Sequence, residues 1–146
     1  MHFRENEKDV EDALVEKVYT GFEGITLYLQ MMMNEIYLLT RKGGTATADY
    51  FDVALSSLIR KQDFIYQSVF ADLTERQREI LRAIVSEEKI VNVTSGDFVR
   101  KYHLKSPSSV QSALKGLAAK GMVSKTSAGY VINDRLFKYW LQLSGR

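Results

Sequence analysis

The sequence predicts a mainly α-helical protein with one small β-hairpin near its C-terminus, and three observations predict this fold class. Apolar residues recur at helical spacing through most of the chain. Helix start signals stand at Thr74 and Ser106, where a hydroxyl can accept a hydrogen bond from a free backbone N–H group. Near the C-terminus, β-branched and aromatic residues flank a short turn, as expected for two paired strands.

The N-terminal half, residues 1–71, is predicted to form a bundle of three helices. They span about residues 7–19, 25–40 and 47–70, and Thr47 is a plausible N-cap of the third. Six residues of the third helix fall on one stripe that we expect to be buried: Phe51, Leu55, Leu58, Gln62, Ile65 and Val69.

The predicted second helix is apolar on nearly all sides. Its main stripe consists of Ile25, Leu29, Met32, Ile36 and Leu39, and roughly opposite lie Leu27, Met31 and Leu38. A helix of this kind should be covered on both sides. Two interpretations remain open: residues 25–40 form the central helix of the bundle, or they contact a surface outside it. That surface would be a missing domain or a second copy of the chain.

The C-terminal half, residues 72–146, begins with a capping box in which Thr74 is the N-cap and Gln77 the third helical residue. An extended piece follows around Ile90, Val91 and Val93. A looser capping pattern, Thr94 with Asp97, then opens a helix over about residues 95–102.

After a turn at residues 103–105, Ser106 and Pro107 start a helix that runs to Lys120 and stops at Gly121. Residues 122–126 and 130–132 form the hairpin, and Asn133 or Asp134 caps a last helix. Helix, extended piece, helix, turn, helix and hairpin is the order of a winged helix-turn-helix domain.

The predicted helix over residues 106–120 is the candidate binding element. Its inner side carries apolar residues, and its outer side is small, polar and basic. We expect Ser108, Gln111, Ser112 and Lys115 to contact a DNA groove. Four neighbouring cations are predicted to contact the phosphate backbone: Arg100, Lys101, Lys105 and Lys125.

Charge distribution supports this hypothesis. Residues 1–71 carry a net charge of −4 and residues 72–146 one of +6, which together make the +2 of the whole chain. A basic module joined to an acidic one is typical of nucleic-acid binding, although a helix exterior is also normally polar. Winged domains serve as protein-interaction modules as well, so that function remains an alternative.

Catalysis is not expected. The chain has no GxxxxGK[ST] phosphate loop, and neither His2 nor His103 stands at a metal-ligand spacing. The absence of cysteine favours a reducing cytoplasm, and we expect no signal peptide, no membrane contact, no metal and no cofactor in this chain.

Several segments resemble the C-terminal region of archaeal-type P-loop ATPases, which are relatives of the AAA and STAND groups. The segments are residues 73–84, which begin Leu73-Thr74-Glu75-Arg76-Gln77, and residues 106–117, which begin Ser106-Pro107-Ser108-Ser109-Val110. Residues 133–141 are similar to the closing Asp-Pro-x-x-x-x-Trp-Leu pattern of that family, with Arg135 in place of Pro. Residues 24–30 are similar to the start of the family's helical lid.

The resemblance implies a non-catalytic module, a lid-like domain plus a winged helix, of a longer ATPase. ATP and Mg²⁺ would then belong to a nucleotide-binding core outside this sequence, and that core would cover residues 25–40. The module would contact DNA or regulate the ATPase. Two alternatives are a protein-interaction or autoinhibitory module and a stand-alone dimeric transcription regulator.

Overall fold

The computed structural model describes residue 3 and residues 7–87 and 95–144. It confirms the predicted fold class, because helices and one small antiparallel hairpin make up most of the described chain. The chain divides into two compact units, Met1–Gln62 and Asp63–Arg146. The predicted boundary, between residues 71 and 72, falls at the end of a long helix, and the division between the two units falls within the same helix.

The first unit contains two very short strands besides its helices. Its elements are β1 (Asp9–Val10), α1 (Asp12–Gly21), α2 (Thr26–Leu39), β2 (Thr45–Ala46) and the first part of α3 (Tyr50–Ala71). The strands pair in parallel, and the amides of Asp9 and Glu11 donate to the carbonyls of Gly44 and Ala46, both at 3.0 Å. The prediction that the first helix starts at residue 7 was wrong, because these amides are used by the strand pair.

Helix α2 has one buried and one exposed face. Met32 and Ile36 are fully buried, as their stripe predicted, whereas Leu39 at the helix end is 39% exposed. On the opposite face Leu27 and Leu38 are 59% and 62% exposed. The helix is therefore not the fully covered centre of a bundle in this chain.

A buried carboxylate joins α2 to the part of α3 that lies in the same unit. Glu35 is buried and accepts hydrogen bonds from Lys61 Nζ at 2.7 Å and from the Ser57 hydroxyl. Burial raises the pKa of the Glu35 carboxyl, but the hydrogen bonds from Lys61 and Ser57, with the charges of Lys61 and Arg60, outweigh it and lower the pKa below its ordinary value. Glu35 is thus ionised and paired at neutral pH.

The second unit follows the predicted order of elements. After the end of α3 come α4 (Glu75–Ser86), α5 (Gly96–Lys101), α6 (Pro107–Ala119), β3 (Val123–Thr126), β4 (Gly129–Ile132) and α7 (Arg135–Ser144). The predicted extended piece at residues 90–93 and the predicted cap Thr94 lie outside the described residues. The N-cap of α5 is Ser95, whose hydroxyl accepts from the Phe98 amide at 3.2 Å.

In the second unit the buried stripe of α3 is displaced around the helix from the predicted one. Within the second unit Tyr66 and Phe70 are buried, and their rings lie 5.8 and 5.9 Å from the ring of Trp140 on α7. The predicted burial of Ile65 and Val69 was wrong, since they are 54% and 38% exposed. The physical reason is the aromatic cluster around Trp140, because Tyr66 and Phe70 pack against its ring and are buried in place of Ile65 and Val69.

Within residues 7–87 and 95–144, none of the helices is both long enough and apolar enough to span a membrane.

A candidate nucleic-acid interface on α6

Helix α6 is fixed at both ends by local hydrogen bonds. At its start the Ser106 hydroxyl accepts from the Ser109 amide at 3.2 Å, and Pro107 occupies the first turn. At its end Gly121 adopts a left-handed φ of 72°, and the Met122 amide donates to the Leu117 carbonyl at 3.0 Å. The predicted N-cap and glycine stop are confirmed, so the helix begins and ends where its sequence signals stand.

The inner face of α6 packs on α4 at close range. Its buried residues are Val110, Ala113, Leu114 and Leu117. A Cβ atom at Gly116 would lie 2.6 Å from Nε2 of the buried Gln77. Gln77 is held in place by the capping box, since its Oε1 accepts from the Thr74 amide at 3.0 Å. Glycine at 116 therefore permits the approach of the two helices.

The turn between α5 and α6 sets the direction of α6. His103 has a left-handed φ of 56°, and the Leu104 amide donates to the Val99 carbonyl at 2.9 Å. Leu104 is buried directly after the turn. The hydrogen bond at the end of α5 and the burial of Leu104 together fix the turn that leads into α6.

The four predicted groove residues share one uncovered surface, the outer face of α6. Ser108, Gln111, Ser112 and Lys115 are all exposed. Their side chains are short or flexible, so the helix backbone can approach another surface closely. Serine and glutamine supply hydrogen-bond donors and acceptors, and lysine supplies a positive charge.

The four predicted phosphate-contact cations are not equivalent. Lys105 and Lys125 are exposed. Arg100 forms an ion pair with Asp97 at 2.5 Å, and Lys101 forms one with Glu87 at 2.9 Å. Arg100 and Lys101 would have to leave these carboxylates before they could bind a phosphate.

Glu87 contacts Lys101 of α5 and Tyr102, the C-cap residue of the same helix. It accepts from the Tyr102 hydroxyl at 2.5 Å as well as from Lys101. The hydrogen bond from Tyr102, followed by that from Lys101, lowers the pKa of the Glu87 carboxyl. Burial and the hydrogen bond to Glu87 raise the pKa of the Tyr102 hydroxyl. Glu87 is therefore a stable anion beside Lys101, one of the predicted phosphate contacts.

The hairpin is anchored at its base and ends in a two-residue turn. Val123 pairs with Ile132 and Thr126 with Gly129, so Ser127 and Ala128 form the turn. Asn133 Nδ2 donates to the Gly121 carbonyl at 2.8 Å, which ties the end of the hairpin to the end of α6.

Sequence reasoning did not find three residues that shape this surface. They are Glu87, Asp97 and Gly116. The three-residue spacing of Asp97 and Arg100 was a usable signal for one ion pair. Glu87 and Lys101 are 14 positions apart, and no local pattern connects them.

The adjacent glycines Gly43 and Gly44 do not form a binding loop for a nucleotide phosphate. The amides of Gly43 and Gly44 already donate, to the carbonyls of Glu7 and Arg41, both at 2.9 Å. Thr45 follows the pair, and it begins a strand instead of a helix. A phosphate therefore finds no free amide cradle there. Within residue 3 and residues 7–87 and 95–144, no group of three or more His, Cys, Asp or Glu side chains could hold a metal ion.

The three helices α4, α5 and α6 with the following hairpin define a winged helix-turn-helix domain. The model of a family described as "Probable winged helix domain" matches residues 64–143, more than half of the chain, and the protein therefore belongs to this family. Searches of curated proteins and of solved structures each found no match.

Proposed function

We propose that this protein binds duplex DNA through the outer face of α6 and the adjacent hairpin. One observation carries the proposal: the uncovered face of α6 lies in a segment, residues 104–144, in which the cations outnumber the carboxylates. The cations are Lys105, Lys115, Lys120, Lys125, Arg135 and Lys138, and the one carboxylate is Asp134.

Asp134 is committed to the protein itself. Its Oδ1 accepts from the amides of Leu136 and Phe137, which caps α7, and its Oδ2 accepts from the Tyr66 hydroxyl. Of the two predicted caps, Asn133 and Asp134, it is Asp134 that caps α7. Because this carboxylate serves the core of the domain, the cations of α6 and the hairpin set the sign of the surface.

The chemistry of the α6 face favours contact with phosphates over reading of bases. The four groove residues are Ser108, Gln111, Ser112 and Lys115, and Lys115 is the one cation among them. None of the four is arginine, the side chain that most often reads guanine. We expect affinity to arise mainly from counterion release and to depend steeply on salt. Discrimination between DNA sequences is expected to be weak.

The test is a fluorescence-anisotropy titration with duplex DNA at several salt concentrations. The variant Lys115→Glu with Lys125→Glu should lose binding and should reduce the slope of log K against log salt by about 2. The matched control, Arg41→Glu with Lys42→Glu, makes the same change in net charge on exposed residues of the first unit and should bind nearly as well as the parent. Absence of binding at low salt, or unchanged binding by the first variant, would overturn the proposal.

The wider context is a second part of the proposal: the module belongs to a longer P-loop ATPase and is itself non-catalytic. What supports it is the resemblance of residues 24–30, 73–84, 106–117 and 133–141 to the C-terminal region of such proteins. The gene sequence upstream of Met1 tests this part. An in-frame GxxxxGK[ST] segment is the expected result, and a stop codon directly upstream of Met1 would overturn it. A chain without DNA affinity would instead favour the protein-interaction or autoinhibitory role.

A further inference from the structure

A small concave pocket lies in the second unit, between the C-terminal part of α3, the start of α7 and the segment that joins α6 to β3. Its volume is about 130 Å³. We call it the α3–α7 pocket. The described residues that line it are Tyr66, Val69, Gly121, Met122, Asp134 and Phe137.

The walls of the α3–α7 pocket are held by contacts within the chain. The Tyr66 hydroxyl donates to Asp134 Oδ2 at 3.0 Å, and the ring centroid of Tyr66 lies 5.2 Å from that of Phe137. On the other wall, the Met122 amide donates to the Leu117 carbonyl at 3.0 Å. Because both walls are fixed by their own partners, the pocket is formed before any ligand arrives.

Two of the lining residues show that the pocket opens to solvent. A Cβ atom placed at Gly121 would meet no atom beyond its chain neighbours within 4 Å. Val69 is 38% exposed, although its stripe was predicted to be buried. A ligand in the pocket would cover apolar surface of Val69 that the chain itself leaves in water, and removing such surface from water favours binding.

The chemistry of the lining selects an uncharged, largely apolar ligand. Two aromatic rings, a thioether and a valine side chain make up most of it. None of the six residues carries a positive charge and Asp134 is a carboxylate, so an anionic ligand would be repelled. The charge of Asp134 is stabilised by the amides of Leu136 and Phe137 and by the Tyr66 hydroxyl, so the site does not require a cationic ligand.

We propose that the α3–α7 pocket binds one uncharged small molecule that contains a single six-membered ring. An apolar cavity of about 150 Å³ in a protein is large enough for benzene, so a volume of about 130 Å³ suits one ring of this kind. Drug-sized molecules need sites of about 300 Å³ or more and would not fit. The ring would contact the aromatic faces of Tyr66 and Phe137 and the Met122 sulfur, which are favourable neighbours for a π-system.

The proposed site is separate from the proposed DNA contacts. The residues that line the pocket include none of the eight residues predicted to contact a groove or a phosphate. Ligand binding and DNA binding are therefore measured independently, and failure of one proposal leaves the other untouched.

The test is an NMR titration of the ¹⁵N-labelled full chain, without DNA, with three molecules of similar size: phenol, benzoate and benzylamine. Phenol should cause saturable shifts that centre on the amides of Val69 and Met122, with a dissociation constant on the order of 1 mM. Benzoate should bind at least about tenfold more weakly, because its charge would be buried beside Asp134.

The variant Val69→Phe places a ring of the chain itself at the pocket wall and should weaken phenol binding by at least about tenfold. The matched control is Ile65→Phe, one turn earlier on α3, at a residue that is 54% exposed and does not line the pocket. It should bind phenol as the parent chain does. The fluorescence of Trp140, whose ring packs on Tyr66 and Phe137, checks the fold of each variant.

Four outcomes would overturn the proposal. They are the absence of saturable shifts with phenol, shifts that centre elsewhere on the chain, benzoate binding as tight as that of phenol, and unchanged phenol binding by Val69→Phe. Tighter binding of benzylamine than of phenol would also overturn it, because the site would then be one for cations.

Discussion

Helices α2 and α6 are built alike on their inner sides and differently on their outer sides. Ile36 of α2 and Leu117 of α6 are both fully buried, and each helix leaves its opposite face open. The open face of α6 carries hydroxyls, an amide and an ammonium group, whereas that of α2 carries leucine, methionine and asparagine. The comparison teaches that inner faces decide whether a helix folds into its unit, and outer faces decide what the unit can bind.

The largest expected effects come from the inner faces, where the two helices should behave alike. Leu117→Ala and Ile36→Ala should each lower the free energy of unfolding by about 2–5 kcal/mol, because each leaves a cavity in packed surroundings. Denaturant unfolding measures both, and Trp140, the single tryptophan, reports on the second unit through its fluorescence. The exposed neighbour Ala118, changed to Ser, is the control and should cost less than about 0.5 kcal/mol.

A smaller effect should distinguish α6 from α2, because α6 approaches Gln77 of α4 at a glycine, Gly116. Gly116→Ala should lower the free energy of unfolding by up to about 1 kcal/mol, since the loss of the Gln77 capping box outweighs the higher helix propensity of alanine. In a Gln77→Ala background the same change should cost much less. Equal costs in the two backgrounds would contradict the close contact as the cause.

Helix α2 should be sensitive to acid through Glu35. Because folding lowers the pKa of this carboxyl below its ordinary value, its contribution to stability is complete at neutral pH and is lost as the pH falls through the lowered pKa. Lys61→Met should cost about 1 kcal/mol at neutral pH, since Lys61 is partly solvated. It should also raise the pKa of Glu35 toward its ordinary value, so that less stability is lost on acidification and the acid limb becomes shallower. Thermal unfolding followed against pH by circular dichroism measures this, and an unchanged acid limb would contradict it.

The smallest expected effect concerns Glu87, the carboxylate that forms an ion pair with Lys101. Glu87→Gln releases Lys101 from its ion pair, so DNA binding should become slightly tighter and its salt slope steeper by up to about 0.9. Glu79→Gln is a control, because Glu79 is paired with Arg76 on α4. A weaker complex after Glu87→Gln would show that this carboxylate supports the binding geometry and does not compete with phosphate.

Much of the winged-helix domain followed from the sequence. The capping box at Thr74, the start at Ser106 and Pro107 and the stop at Gly121 were predicted and are present. The inner face of α6 was predicted as well, because its residues recur at helical spacing. The predicted DNA contacts lie on exposed surface, but their role is still a prediction.

Local signals by themselves determined where α4 starts and where α6 starts and stops, because these caps and turns join residues three to five positions apart. Tertiary structure alone decided the pairing of Asp9 with Thr45, the burial of Glu35 beside Lys61, and the choice of Tyr66 and Phe70 over Ile65 and Val69. Each of these depends on a partner more than 20 positions away along the chain. Helical periodicity places a side chain on a face, but what packs against that face is set by the folded chain.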